Sequence, residues 1–304
     1  MSWFVTFLFL IYAGLGIATL LVWWAIYALV LTRGYSVHEA LFGKNPNPAV
    51  AMDLLGGFLA ASFLLYSVVS MAPMADFRLD VGSVAISLLV TLVLLAVVRF
   101  MIAGLLRIWF GNRRDAQGEV ISFNNEIFRQ RNMATSIFSS VLYLILVTGL
   151  AQLDIWNQGG YRLEQVWNML GIWLLGGALV VLHSFLYLEY GFRNNILHEC
   201  FHDNNPAAPL SLFGLVAGML MLNHQLLIFF EPEVHLFNSI GLWAFMGGIL
   251  LLVLLARIVL QLILLAGWGI SLRHELVIHD NIAWGIVDGG LIFGLLLMPN
   301  ALIT

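Results

Sequence analysis

The stretch H-E-C-F-H-D-N-N-P-A-A-P-L-S-L-F-G, residues 198–214, supports two readings. Its first five letters have the H-E-x-x-H spacing. On a helix this places two histidines on one face as zinc ligands, with the glutamate as the general base of a metalloprotease. Its continuation, Asn205-Pro206, reads instead as the N-cap and first residue of a new helix. The choice turns on whether the stretch stands alone, and three other segments share its plan: HEALFGKNPNPAVAMDLLGG from His38, NEIFRQRNMATSIFSS from Asn125 and HELVIHDNIAWGIVDGG from His274. Each opens on His-Glu or Asn-Glu, crosses a few apolar or small residues and reaches a polar cluster that ends in asparagine. A polar or acidic residue follows six or seven places further on: Asp53, Ser139, Ser211 or Asp288. The other copies lack a histidine at the fifth place, so the repeat accounts for most of the zinc-like letters.

Long apolar runs separate the four segments. The chain has 304 residues, 61% of them hydrophobic and 10% charged, with a mean hydropathy of +0.95. Soluble domains are about 25% charged, so the composition excludes that class and gives a membrane protein surrounded by a lipid bilayer. Runs near 3–32, 48–72, 81–108, 133–152, 165–190, 206–230, 237–268 and 282–300 are long enough to cross as helices. Strands would alternate and be half this length. The fold class expected is therefore an all-α integral membrane protein of eight spans. The first run is uncharged to Thr32 with no positive segment before it, which reads as a retained span rather than a signal peptide. A net charge of −4 without a basic tail excludes nucleic acid as a partner, and the single cysteine, Cys200, excludes an intrachain disulfide.

Orientation follows from the cationic residues. The linkers after the odd-numbered runs hold Arg33, Lys44, Arg113, Arg114, Arg129, Arg131, Arg193 and Arg273. The opposite linkers hold Arg78 and Arg162 beside Asp76, Asp80, Asp154, Glu164, Glu231 and Glu233. Positive charge is retained in the cytoplasm, which puts both termini outside it. The second and fourth segments align without a gap from Glu126/Glu275 to Ser139/Asp288. The first and third share Asn-Pro-Ala at 47–49 and 205–207, and Arg99 corresponds to Arg257. The chain is thus two tandem four-helix units, 1–153 and 154–304, each made of two helical hairpins.

The unit resembles domain-of-unknown-function family 350, the YjfL-like bacterial inner-membrane proteins. The resemblance rests on Glu39 with Asn47-Pro48-Ala49, Glu199 with Asn205-Pro206-Ala207-Ala208, and Glu275 with His279-Asp280-Asn281-Ile282-Ala283. It is poorest at Asn125-Glu126, where Arg129-Gln130-Arg131 replaces the polar cluster. The resemblance implies a bacterial inner-membrane location and peripheral cytoplasmic partners of the envelope-stress type. It implies no mechanism and no cofactor, and no catalytic residue is assigned.

Parallel repeats would gather Glu39, Glu126, Glu199 and Glu275 at the cytoplasmic face, where carboxylates around an axis attract cations. The alternative is structural: each glutamate orients its own linker. Asp53 and Asp288 lie about 9–10 Å into their helices. An ionisable residue at that depth marks a pathway unless water or the helix dipole still reaches it. Arg99 and Arg257 could pair with these carboxylates, or snorkel and hold helices together. These six acidic residues are the pathway candidates for passage of an ion or small cation. A second reading is a platform that docks partners on the basic 111–132 linker, and the sequence admits a homo-oligomer. The third is the zinc protease, with His198, His202 and Asp288 as ligands. His183, His224 and Glu189 have no counterparts in the first unit, and a lone histidine there reads as bonded to a neighbouring helix. The pairs Gly56-Gly57, Gly176-Gly177, Gly247-Gly248 and Gly289-Gly290 are expected at close helix contacts.

Overall fold

The computed structural model describes residues 3–32, 34–71, 77–111, 114, 118, 120–151, 163–187, 196–229, 240–271 and 274–303. Among these there is no strand, only one bridge between Arg114 and Val120. The long described helices are α1 Trp3–Ile26, α2 Pro48–Met71, α3 Phe77–Phe110, α4 Met133–Leu150, α5 Leu163–Tyr187, α6 Ala207–Phe229, α7 Ile240–Trp268 and α8 Ile282–Ile303. They coincide with the apolar runs to within a few residues. Six of them, α1 to α5 and α7, are long and apolar enough to cross a membrane. In α6 and α8 the described apolar runs are shorter, Ala207–Asn223 and Ile282–Met298.

Small residues decide which helices meet. A Cβ at Gly56 of α2 would strike Ser140 of α4, and one at Gly214 of α6 would strike the backbone of Gly289 in α8. Gly285 lies against the backbone of Ala207 in the same way. Such contacts bring backbones together where no hydrophobic force between helices exists. The even-numbered helices pack in the order α2, α4, α6, α8, with the odd-numbered ones outside them. The apolar window of α4 is 83% buried and that of α7 only 18%, so α4 lies at the centre and α7 at the edge. The expected glycine pairs hold only in part. Gly177, Gly247, Gly248 and Gly290 have nothing within 4 Å of an added Cβ.

Each repeated segment begins as one short turn before an even-numbered helix: α-helical at Val37–Phe42, Phe123–Phe128 and Ile196–Phe201, and π-helical at His274–Ile278. H-E-x-x-H therefore lies in a short element outside the long helices. Ser36 and Ser122 cap the first two turns by accepting from the N–H groups of Glu39 and Asn125. In three linkers the residue before the capping asparagine is left-handed: Arg131 (φ 57°), Asn204 (54°) and Asp280 (49°). The corresponding place in the first linker is Pro46, whose ring forbids that conformation, and there the chain runs longer, through Gly43-Lys44-Asn45.

Arg33, Asp76, Arg113, Asp154, Arg162, Glu189, Arg193, Glu231, Glu233 and Arg273 lie outside the described residues. So do the side chains of Arg78, Asp80, Glu164 and His224.

Candidate functional site

Two constellations gather the sequence-derived candidates. The first frames the linkers. Each capping asparagine accepts from the following helix: Asn47 Oδ1 from Ala49 N–H at 3.0 Å, Asn132 from Thr135 at 2.9 Å, Asn205 from Ala207 at 2.9 Å and Asn281 from Trp284 at 3.4 Å. In the last three linkers the same side chain donates to the glutamate six residues earlier: Asn132 to Glu126 at 3.0 Å, Asn205 to Glu199 at 2.8 Å and Asn281 to Glu275 at 2.8 Å. The asparagine also reaches the next linker. Asn47 Nδ2 donates to Ile127 O at 2.9 Å, Asn132 to Cys200 O at 2.8 Å and Asn205 to Leu276 O at 2.6 Å. Each acceptor is the carbonyl directly after the next linker's glutamate. Asn132 and Asn205 thus each cap a helix, hold their own turn and join two repeats.

This geometry is the structural alternative for the glutamates. Glu126 and Glu199 are buried, Glu275 is half-buried and Glu39 is exposed, so the four do not share one environment. Burial raises the Glu199 carboxyl to about 7, opposed by the Asn205 hydrogen bond and aided by the charges of Asp203 and Asp280. Glu275 is held below its ordinary value, first by the Asn281 hydrogen bond. Glu39 instead faces a cleft of about 580 Å³ with Lys44, Asn45 and Arg131.

The second constellation lies within the bundles and occurs once per unit. In the first, Asp53 on α2 is ion-paired with Arg99 of α3 and accepts from Ser139 Oγ of α4 at 2.6 Å. Tyr27 OH donates to it at 2.8 Å, and Tyr143 OH stands at 3.4 Å. Arg99 also donates to Asn124 Oδ1 at 3.1 Å and lies over the rings of Tyr27 and Phe123. In the second unit, Asp288 on α8 pairs with Arg257 of α7 at 2.9 Å and accepts from Ser211 of α6. Because the Ser211 hydroxyl donates its hydrogen bond to Asp288, His183 Nε2 at 3.2 Å must donate to Ser211 Oγ, which fixes its tautomer. Both aspartates are fully buried.

Asp and Ser have exchanged helices between the units. Asp53 aligns with Ser211 and Ser139 with Asp288, yet each unit ends with one carboxylate, one serine hydroxyl and one guanidinium brought together. The arginines pair with the carboxylates rather than snorkelling, and His183 bonds to a neighbouring helix as read from the sequence. Sequence reasoning missed Tyr27, Asn124 and Tyr143; their signal was a polar group inside or beside an apolar run. The histidines of H-E-x-x-H gather with Asp203, not Asp288, which is engaged by Arg257 and Ser211. Glu199, the would-be base, is buried against Asn205.

A chain helical throughout its described long elements, with apolar helices around a buried aspartate paired with an arginine in each half, is a multi-pass membrane protein by composition and helix length. The chain belongs to the Domain of Unknown Function family DUF350, whose model matches residues 2–151 and again 161–303. The first match spans helices α1 to α4 and the second α5 to α8. No curated protein and no solved structure matches the chain.

Proposed function

We propose that the chain is an eight-span protein of the bacterial inner membrane, with both termini outside the cytoplasm, that passes a small cation through its helical bundles, the proton being the cation its geometry favours. The observation that carries this reading is the exchanged pair. A buried aspartate in an apolar helix is costly and is a functional hypothesis by default. Here each unit holds one at the same place, supplied from different helices, so what the units share is the site and not the helix that carries it. The arginine opposes the entry of a metal cation, whereas a proton can join the carboxylate and neutralise it. Ser139, Tyr27 and Tyr143 around Asp53, and Ser211 and His183 beside Asp288, are hydroxyls and an imidazole, groups whose chemistry allows them both to give and to take a proton. Glu126, Glu199 and Glu275 orient the asparagines that join the repeats, and Glu39, free of that bond, is the linker glutamate retained as a pathway candidate.

The test is proton flux into proteoliposomes under an imposed potential, read with an internal pH dye. The wild type should conduct, each of Asp53→Asn and Asp288→Asn should reduce flux at least tenfold, and the double variant should match empty vesicles. Wild-type flux no higher than that of empty vesicles would remove the proposal. A second reading, a platform for peripheral membrane-stress partners, draws on the exposed Arg114, Arg129 and Arg131. A partner whose binding requires those arginines, with no flux, would favour it.

A further inference from the structure

The third linker carries a cluster that its siblings lack. His198 and His202 stack with centroids 4.4 Å apart and planes 15° from parallel. Both turn a ring nitrogen to one carboxylate: His198 Nε2 is 3.3 Å from Asp203 Oδ2, and His202 Nδ1 is 2.6 Å from Asp203 Oδ1. Donor atoms of all three residues lie within 4.8 Å of one another. We infer that His198, His202 and Asp203 form a binding site for a divalent transition-metal ion, zinc being the best match, with solvent in the fourth position.

The repeat supplies the control for chance. All four linkers share the short turn, yet among the described residues the histidines of the other linkers form no such cluster. His38 meets the edge of Phe42. His274 and His279 cross at 72°, and only His279 reaches a carboxylate, Glu275, at 3.2 Å. The Glu-Asn frame therefore does not by itself generate the arrangement. Spacing agrees as well. Tetrahedral zinc with ligands at about 2.0–2.1 Å sets donors roughly 3.4 Å apart. His198 Nε2 and His202 Nδ1 approach opposite oxygens of Asp203, at 3.3 Å and 2.6 Å, and one carboxylate oxygen lies within 4.8 Å of both ring nitrogens, so a turn of the carboxylate and the rings is what the ion requires to bring three donors to that spacing. His198, His202 and Asp203 are 33%, 37% and 39% exposed, so an ion can enter from solvent. The surroundings are acidic: Asp280 feels the Asp203 charge, and both act on Glu199. Two imidazoles and a carboxylate are borderline ligands suited to zinc rather than to calcium or magnesium. Three protein ligands with an open position make a site at which a further ligand can bind.

The site differs from the protease set in its third ligand, and the experiment separates the two. The full chain in detergent, stripped with a chelator, is titrated with Zn²⁺ by calorimetry and with Co²⁺ by visible absorption. One ion per chain and a tetrahedral Co²⁺ spectrum are expected. His198→Ala, His202→Ala and Asp203→Ala should each weaken Zn²⁺ binding at least tenfold. Asp288→Asn and the pair His274→Ala/His279→Ala should leave it unchanged. Each variant is first shown to keep the wild-type melting midpoint without metal, and His202→Gln, closer in size, replaces any that does not. No stoichiometric binding, binding that survives His198→Ala/His202→Ala, or loss on Asp288→Asn would overturn the site.

Discussion

At the scale of single residues, burial rather than the capping asparagine determines what a linker glutamate does. The carboxylate of Glu199 is buried beneath its linker and accepts from Asn205, and it stands near Asp203 and Asp280. Burial outweighs the hydrogen bond, and the carboxyl rises from 4.5 to about 7. The fold therefore binds a proton that the unfolded chain has released between those values. This contribution to stability is complete below about pH 4.5 and is lost as pH rises through about 7, up to about 3 kcal/mol in all. Glu199→Gln imitates the protonated form and still accepts from Asn205. Its melting midpoint in detergent should match the wild type at pH 5 and exceed it at pH 8. A variant that is less stable at both would show that the charged form is the one the linker requires. None of this burial was legible in the letters. The sequence marked the four glutamates as equivalent, and only the packing of each turn against its neighbour separates Glu126 and Glu199 from the exposed Glu39.

At the scale of elements, the positions of the helices were legible and their partners less so. Length and apolarity locate a helix because backbone groups in lipid must be satisfied within the segment. Which faces meet depends on the approach of particular small residues. Gly214, Gly285 and Gly289 permit α6 and α8 to touch along their backbones, whereas Gly247-Gly248, the same pair of letters as Gly289-Gly290, packs against nothing described. The sequence offered no rule to tell them apart. Gly214→Ala is therefore a demanding change despite its size, since the methyl meets the Gly289 backbone, which cannot rotate away. A loss of about 1–3 kcal/mol is expected, read as a lowered melting midpoint. Gly248→Ala should change it little, or raise it through the better helix propensity of alanine. Equal effects at the two positions would contradict the close approach of α6 and α8.

At the scale of the whole molecule, duplication explains an arrangement that no single unit explains. The alignment of Asp53 with Ser211 and of Ser139 with Asp288 was visible in the sequence. That each Asp meets the Ser of its own unit required the contact of α2 with α4 and of α6 with α8. Equivalent positions on the second and fourth helices of a unit face one another, so a carboxylate is accommodated on either side and the third-helix arginine reaches it. The exchange can then be made by hand in the first unit. Asp53→Ser alone leaves Arg99 buried without its charge partner, which should cost about 3–5 kcal/mol. Adding Ser139→Asp returns one carboxylate and one hydroxyl to the site in the order the second unit uses. Most of the lost stability should return. Recovery will be incomplete, because Tyr27 is placed for the α2 side at 2.8 Å from Asp53. Melting of the wild type, both single variants and the double variant in one detergent gives the coupling energy directly. If the two losses simply add, the two positions do not share one arginine. If the double variant recovers stability and proton flux together, the site itself, on either helix, is what the molecule needs.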